Sequence, residues 1–251
     1  MKQRQHLLIT LAVVVSLLLA PVAMSADKAE NEEAHPLAGI ALRSLGAAVI
    51  SGRISDFAFH PEHRNIFYVA TASSGVWKTT NRGITWTPIF DNYGAYATGW
   101  ITLNPDNADE VWLGTGENNA QRSVGYGDGV YKSIDGGKTW KNVGLKNSGH
   151  IGQIKFDPRD SKVVYVTAQG PLWSAGGDRG LYKSTDGGKT WTNTGLRDTH
   201  HIGRIVVHPR HPNTVYVAAL GHLYTFNQQR GLFKTTDGGR NWKKVLYVNP
   251  R

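Results

Sequence analysis

A seven-residue turn motif occurs four times along this chain and limits the folds open to it more than any other feature. Each copy ends in tryptophan, and the tryptophans are 54, 51 and 51 residues apart; the copies are Thr80–Trp86, Ile134–Trp140, Thr185–Trp191 and Thr236–Trp242. A fixed period of this length is the signature of a repeat architecture. The motif is short compared with the period, so each repeat must contain further elements.

Four short segments in each repeat have the apolar and polar alternation of β-strands. Two recur upstream of the motif, a third directly precedes it and a fourth follows its tryptophan, and we label them strands A to D. The predicted A strands are Ile54–Phe59, Trp100–Leu103, Ile151–Phe156 and Ile202–Val207. Four-stranded units at a period of about 50 residues are typical of propeller blades. The sequence therefore predicts an all-β protein, a β-propeller whose four blades span residues 51–91, 99–145, 150–196 and 201–248.

The motif resembles the Asp box, or bacterial neuraminidase repeat, and residues 42–248 resemble the sortilin N-terminal and Asp-box propeller family of bacterial exported proteins. The resemblance implies a hairpin between strands C and D, in which the Asp accepts backbone N–H groups, a Gly takes positive φ and the Trp packs between blades. The first copy has asparagine in place of aspartate. We assign a structural role to Asn81, Gly83, Trp86, Asp135, Gly137, Trp140, Asp186, Gly188, Trp191, Asp237, Gly239 and Trp242.

The first residues have the pattern of an export signal. Lys2 and Arg4 precede an apolar run of 13 residues, Leu7 to Leu19, and small residues follow. The run is shorter than the roughly 20 residues that span a bilayer, which argues against an uncleaved anchor. We predict a signal peptide at 1–26, an acidic lead-in at 27–41, and export to the periplasm or the extracellular space with no membrane span after cleavage.

Charge and composition limit the kinds of partner and cofactor that we expect. The chain has 28 Lys and Arg against 19 Asp and Glu, a formal net charge of +9, and no cysteine. The excess positive charge is spread over the repeats, so we expect no nucleic-acid partner, although binding to another anionic polymer remains an alternative. We expect no cofactor and no metal, because His208 aligns with His60 at the turn between strands A and B, away from the neighbouring His201.

Long connections between strands B and C mark the candidate binding face, because binding residues concentrate on such loops. The connection is short in the first repeat and long in the other three. We expect these loops to bind a protein, peptide or glycan, as the resemblance to sortilin also implies, and we expect His150 and His201 beside them to be solvated turn residues. The candidate binding residues are Glu117, Asn118, Asn119, Arg122, Gln169, Trp173, Asp178, Arg179, His222 and Tyr224.

The enzymatic alternative is glycoside hydrolysis, because sialidases and xyloglucan-cleaving enzymes also carry Asp boxes. Such enzymes need a pair of acidic groups in a cleft, and Glu117 and Asp178 are the only acidic pair on the long loops that we would test. The sialidase resemblance also calls for an Arg-Ile-Pro motif, but the comparable places read Arg53-Ile54-Ser55 and Arg204-Ile205-Val206. We therefore predict no catalytic residues and favour a binding role.

The two ends of the repeat array create a problem for ring closure. The segment from Leu42 to Gly46 resembles the end of a D strand, but the last repeat already has its own, from Trp242 to Val248. We therefore expect a fragment or natural truncation of a longer propeller that self-associates through its unsealed blade ends. A closed ring of four blades is the alternative, since four is the lower limit for propellers.

Overall fold

The computed structural model describes residues 53–119, 124–223 and 225–247, all within the unit that spans 45–251. The predicted signal peptide, the lead-in and the segment from Leu42 to Gly46 lie outside the described residues. Sixteen strands form four antiparallel sheets of four strands each, and each sheet contains consecutive strands in chain order. This confirms the predicted all-β fold. In the described part of the chain, no helix is long and apolar enough to cross a membrane.

Each predicted repeat forms one sheet. Blade 1 contains β1 (Ile54–Phe59), β2 (Phe67–Thr71), β3 (Val76–Thr79) and β4 (Thr87–Pro88), and blade 2 contains β5 (Thr98–Asn104), β6 (Asn107–Thr115), β7 (Val130–Ser133) and β8 (Lys141–Gly144). Blade 3 contains β9 (Ile151–Asp157), β10 (Asp160–Gln169), β11 (Arg179–Ser184) and β12 (Thr192–Asn193), and blade 4 contains β13 (His201–Val207), β14 (Val215–Gly221), β15 (Gly231–Thr235) and β16 (Lys243–Leu246). Short 3₁₀ turns at Lys146–Ser148 and Arg197–Thr199 precede blades 3 and 4.

The core consists of three apolar clusters, each formed by two successive blades. Strand A of one blade packs on strand A of the next, so β1 lies against β5, β5 against β9 and β9 against β13. In the cluster between blades 1 and 2, for example, Tyr68 packs with Ile101 and Trp140. Because strand residues alternate between two faces, each inner blade buries one face against each neighbour.

Side-chain hydrogen bonds hold the repeated turns between strands C and D. In blade 2, the carboxylate of Asp135 accepts hydrogen bonds from the Thr139 amide at 2.9 Å and from the hydroxyls of Thr139 and Ser133. These hydrogen bonds lower the pKa of Asp135 to about 2. Gly136 and Gly137 have φ of 69° and 88°, where a side chain is strained. In the first box, the Asn81 amide oxygen accepts the corresponding amide hydrogen bond at 2.9 Å.

The second, third and fourth boxes also join their blades to the preceding ones. The indole N–H of the box tryptophan donates to a carbonyl at the outer edge of the previous blade; at 2.8 Å the pairs are Trp140 with Ile89, Trp191 with Val143 and Trp242 with Thr194. A lysine on strand C lies over the aromatic ring on strand B in all four blades; the pairs are Lys78 with Tyr68, Lys132 with Trp112, Lys183 with Tyr165 and Lys234 with Tyr216. Two of these lysines also donate to the following box, Lys78 to the carbonyl of Gly136 and Lys132 to that of Gly187.

Candidate binding face

Three long B–C loops and the D–A connections meet at one end of the blades, as the strand order requires. The loops cover residues 116–129, 170–178 and 222–230, whereas the first B–C connection covers only 72–75. Arg122 and Tyr224 lie outside the described residues. The other predicted binding residues are placed by the structure into two groups, one that holds the loops together and one that faces solvent.

Arg179 and Gln169 belong to the first group. Arg179 is 5% exposed, and its guanidinium donates to the carbonyls of Gln169, Gly176, Pro171 and Ser174. Burial lowers its pKa. The Gln169 amide is buried and donates to the Ile202 carbonyl of the next blade. These two side chains therefore fix the 170–178 loop from inside and are not free to meet a ligand.

Glu117 and Asn118 tie the first long loop to the inner strands. Glu117 is fully buried, and Arg53 of blade 1 donates its Nε to Glu117 Oε1 at 2.9 Å, while its Nη2 contacts the same oxygen. Asn118 donates through Nδ2 to the carbonyls of Gly99 and Gly152. Asn119 is exposed. The acid on this loop thus has a basic partner and no solvent-accessible surface.

The expectation that His150 and His201 are solvated turn residues is wrong. They are 0% and 2% exposed, because their rings fill the space between the inner strand ends and the loops. The Nδ1 atom of His150 lies 2.8 Å from the Glu117 carbonyl, and that of His201 lies 3.0 Å from the Gly221 carbonyl. Burial lowers the pKa of both, that of His150 to about 4, so both rings are neutral at pH 7.

A cavity of about 390 Å³ opens on this face between the loops of blades 3 and 4. Trp173 at its edge is 52% exposed, and the His200 and His222 rings lie against each other with centroids 3.5 Å apart. Burial, Arg179 and the neighbouring imidazoles lower the pKa of His200 to about 4. The cavity is lined by Leu172, Trp173, Ser174, Ala175, His200, His201, His222, Leu223 and Thr225. We name it the loop pocket.

The loop pocket combines predicted and unpredicted residues. Trp173 and His222 were predicted as binding residues, whereas Leu172 and His200 were not. His200 could have been found from its position on a D–A connection at the same end of the blade. Asp178 does not line the pocket; its carboxylate accepts from the Asn147 amide and the Tyr182 hydroxyl. Within the described residues, no group of three or more His, Asp or Glu is placed to hold a metal ion.

A larger and more open cavity of about 650 Å³ also lies on the loop face, between the loops of blades 2 and 3, where Gly127, Asn147 and Asp178 line it. Two further cavities, of about 560 and 870 Å³, lie between successive Asp boxes. The two cavities between boxes are lined by equivalent parts of adjacent repeats, such as Lys132 and Gly187 in one and Lys183 and Gly238 in the other. They follow from the way one box is stacked on the next. The loop pocket, in contrast, is built from loops that differ between repeats.

Comparison with known proteins agrees with this architecture. The family model described as "Sortilin, neurotensin receptor 3" matches residues 128–248. An ancestral GH74 enzyme has a similar structure with a TM-score of 0.61 at 20% identity, over 79% of this chain and 24% of that one. An auxiliary nutrient binding protein from Bacteroides thetaiotaomicron gives 0.54 at 14% identity, over 80% and 43%. The four sheets are therefore blades of a β-propeller, and the sortilin family model matches just under half of the chain.

The curated relatives are named as xyloglucanases. A probable oligoxyloglucan-reducing end-specific xyloglucanase of Neosartorya fischeri is 25% identical over 244 residues, which is 89% of this chain and 26% of the relative. A xyloglucanase of Paenibacillus is 24% identical over 210 residues, 73% of this chain and 20% of the relative. This chain spans about a quarter of the length of such relatives.

Proposed function

We propose that this chain is an exported propeller module that binds a neutral glycan in the loop pocket. The observation that carries the proposal is the exposed indole of Trp173 beside the His200 and His222 imidazoles in one cavity. Sugar rings present apolar C–H faces and a rim of hydroxyls. An aromatic platform with a few polar groups matches that surface.

The charge state of the pocket favours a neutral ligand. A neutral imidazole has one donor and one acceptor nitrogen, so it can hydrogen-bond a hydroxyl in either direction. The pKa of His200 is about 4, so its ring carries no charge at pH 7. No Asp or Glu is among the lining residues. The xyloglucanase names of the relatives support xyloglucan oligosaccharides as the first ligands to test.

Glycoside hydrolysis is the second candidate, supported by the same names. Hydrolysis by the usual route needs two carboxyl groups, about 5 to 9.5 Å apart, that flank the scissile bond. Glu117 is buried against Arg53, and Asp178 is hydrogen-bonded to its own loop. Neither carboxylate lines the loop pocket. The arrangement of the described residues therefore favours binding over cleavage.

Calorimetric titration with xyloglucan oligosaccharides at pH 7 tests this proposal. We expect Trp173→Ala to weaken binding at least ten-fold, since it removes the platform. Tyr96→Ala is the matched control, because Tyr96 is 62% exposed on a D–A connection and does not line the pocket. Equal affinity for the protein and Trp173→Ala, or binding of peptides but no glycan, would contradict the proposal. Release of new reducing ends that is lost in Glu117→Gln would support hydrolysis instead.

A further inference from the structure

One side chain from each of the four blades meets the others at the inner edges of the blades, where the A strands pack on one another. The Lys155 ammonium lies 5.3 Å from the centroid of the Trp100 ring, and the guanidinium carbon of Arg204 lies 5.9 Å from the same centroid. Asp56 is close enough to interact electrostatically with both cations. We name Asp56, Trp100, Lys155 and Arg204 the inner cluster.

One position of the repeat holds a backbone amide of the next blade. It lies on strand A, four residues before the polar residue that precedes a proline. In blade 1, the carboxylate of Asp56 at this position accepts from the Ile101 amide at 3.1 Å. In blade 3, the side-chain oxygen of Gln153 accepts from the Ile205 amide at 2.7 Å. Blade 2 has Trp100 at the same position.

Trp100 cannot hold an amide in this way, because an indole has a donor and no acceptor. Its Nε1 atom is buried and has no hydrogen-bond partner within the described ranges. An unpaired buried donor costs stability. Trp100 therefore departs from the structural pattern of the repeat at a cost, and what its ring does instead is to lie beneath two cations.

The two cations of the inner cluster have no carboxylate of their own. Among the described residues, neither Lys155 nor Arg204 has a carboxylate at ion-pair distance. Asp56, which is held by the Ile101 amide, offsets only one of the two positive charges. Burial lowers the pKa of Lys155, an effect that Asp56 opposes and Arg204 increases. Because like charges at one ring repel each other, an anion bound between them removes this repulsion.

We propose that the inner cluster binds an oxyanion, the carboxylate or phosphate group of a small ligand, between Lys155 and Arg204. The planar guanidinium presents a fork of donors that fits either group, and the ammonium adds a compact charge. Trp100 is the positioning residue, because its ring gathers cations from two different blades. None of these residues lines the loop pocket, so this site is separate from the proposed glycan site.

Calorimetric titrations with inorganic phosphate and with glucuronate, at pH 7 and low ionic strength, test the proposal through variants of opposite sign. We expect Lys155→Gln and Arg204→Gln each to raise the dissociation constant roughly ten-fold or more, since each removes a charged donor. Asp56→Asn should lower it several-fold, because asparagine keeps an acceptor for the Ile101 amide and removes the negative charge. Arg159→Gln is the control, because it removes the same charge from an exposed residue in the turn between β9 and β10.

Circular dichroism checks that each variant keeps its β-structure. Binding of phosphate alone identifies a phosphate ester as the ligand class and binding of glucuronate alone a sugar acid, and either result supports the site. Failure of both probes to bind would overturn the proposal, and so would equal losses in Lys155→Gln and Arg159→Gln or an affinity unchanged by Asp56→Asn. Trp173→Ala should leave anion binding intact, so a failure of the glycan proposal is distinguished from a failure of this one.

Discussion

The tryptophan of the second Asp box offers the sharpest test of how the blades are held together. Trp140 is 8% exposed and lies between blades 1 and 2, where its ring is edge-on to Phe90 at 5.5 Å. Its indole N–H donates to the Ile89 carbonyl at 2.8 Å. Trp140→Ala removes the ring contact and this hydrogen bond together and leaves a cavity between two blades.

The magnitude follows from these contacts. Replacing a buried Trp by Ala costs about 3 to 5 kcal/mol, and this figure includes the cavity. An aromatic pair contributes about 0.5 to 1.5 kcal/mol and a hydrogen bond about as much, so together they account for roughly 1 to 3 kcal/mol of it. One kcal/mol shifts the midpoint by about 2 to 4 °C in a domain of this size. We therefore expect Trp140→Ala to lower the melting temperature by about 6 to 20 °C in a thermal melt.

Trp86→Ala supplies the internal comparison, because the same motif residue is 40% exposed there and has no preceding blade in the described structure. At concentrations low enough to keep the protein monomeric, we expect this variant to lower the melting temperature by less than about 4 °C, the shift for roughly 1 kcal/mol. Equal losses in the two variants would refute the reasoning, since stability would then depend on the turn itself and not on blade stacking. An unchanged Trp140→Ala protein would refute it too.

Three further predictions concern two titrating groups and the predicted signal peptide. Hydrogen bonds hold the pKa of Asp135 near 2, below its unfolded value, so its contribution to stability is complete above about pH 4 and is lost as pH falls towards 2. Asp135→Asn copies Asn81 of the first box. In thermal melts at acid pH, we expect the melting temperature of this variant to depend less on pH in that window. Burial holds the pKa of His150 near 4, so stability should fall from about pH 6.5 towards 4, and His150→Gln should flatten this slope in urea titrations. Intact mass of the exported protein should show cleavage near Ser25 or Ala26, and retention of Met1 would contradict the signal prediction.

Sequence reasoning placed the blades well because the repeated motif fixes the register independently of propensity. Once the tryptophans were aligned, strands such as Ile54–Phe59 fell at equivalent positions, and the structure places them there. The outermost strands were harder. Strand β12 covers only Thr192–Asn193, whereas β8 covers the four residues Lys141–Gly144. The local sequence does not separate the two strands, since Asn193 and Asn142 make the same two side-chain hydrogen bonds to the backbone.

The candidate site was harder to predict than the fold, because a long polar side chain on a loop can face either solvent or backbone. Arg179 and Trp173 lie six residues apart on the same repeat, yet one is 5% exposed and the other 52%. The difference depends on loop curvature, which brings four carbonyls around one guanidinium. Composition does not encode that curvature. His200 was missed for a related reason, since its ring meets His222 from a different connection.

The surroundings of Glu117 show why an acidic residue on a loop need not be catalytic in this fold. One register position carries Arg53 in blade 1 and His150 in blade 3, and both side chains converge on this residue of blade 2. Arg53 contacts the carboxylate, and His150 contacts the backbone carbonyl. Arg53 is half exposed and the Glu117 carboxylate is buried, so Arg53 is the charged partner that compensates a buried carboxylate, while His150 holds the backbone of the same residue. A general acid or nucleophile must instead reach a substrate and change its protonation or bonding there. The same contacts that make Glu117 a tie between three blades therefore keep it away from the loop pocket, whereas Trp173 meets solvent at the edge of that pocket.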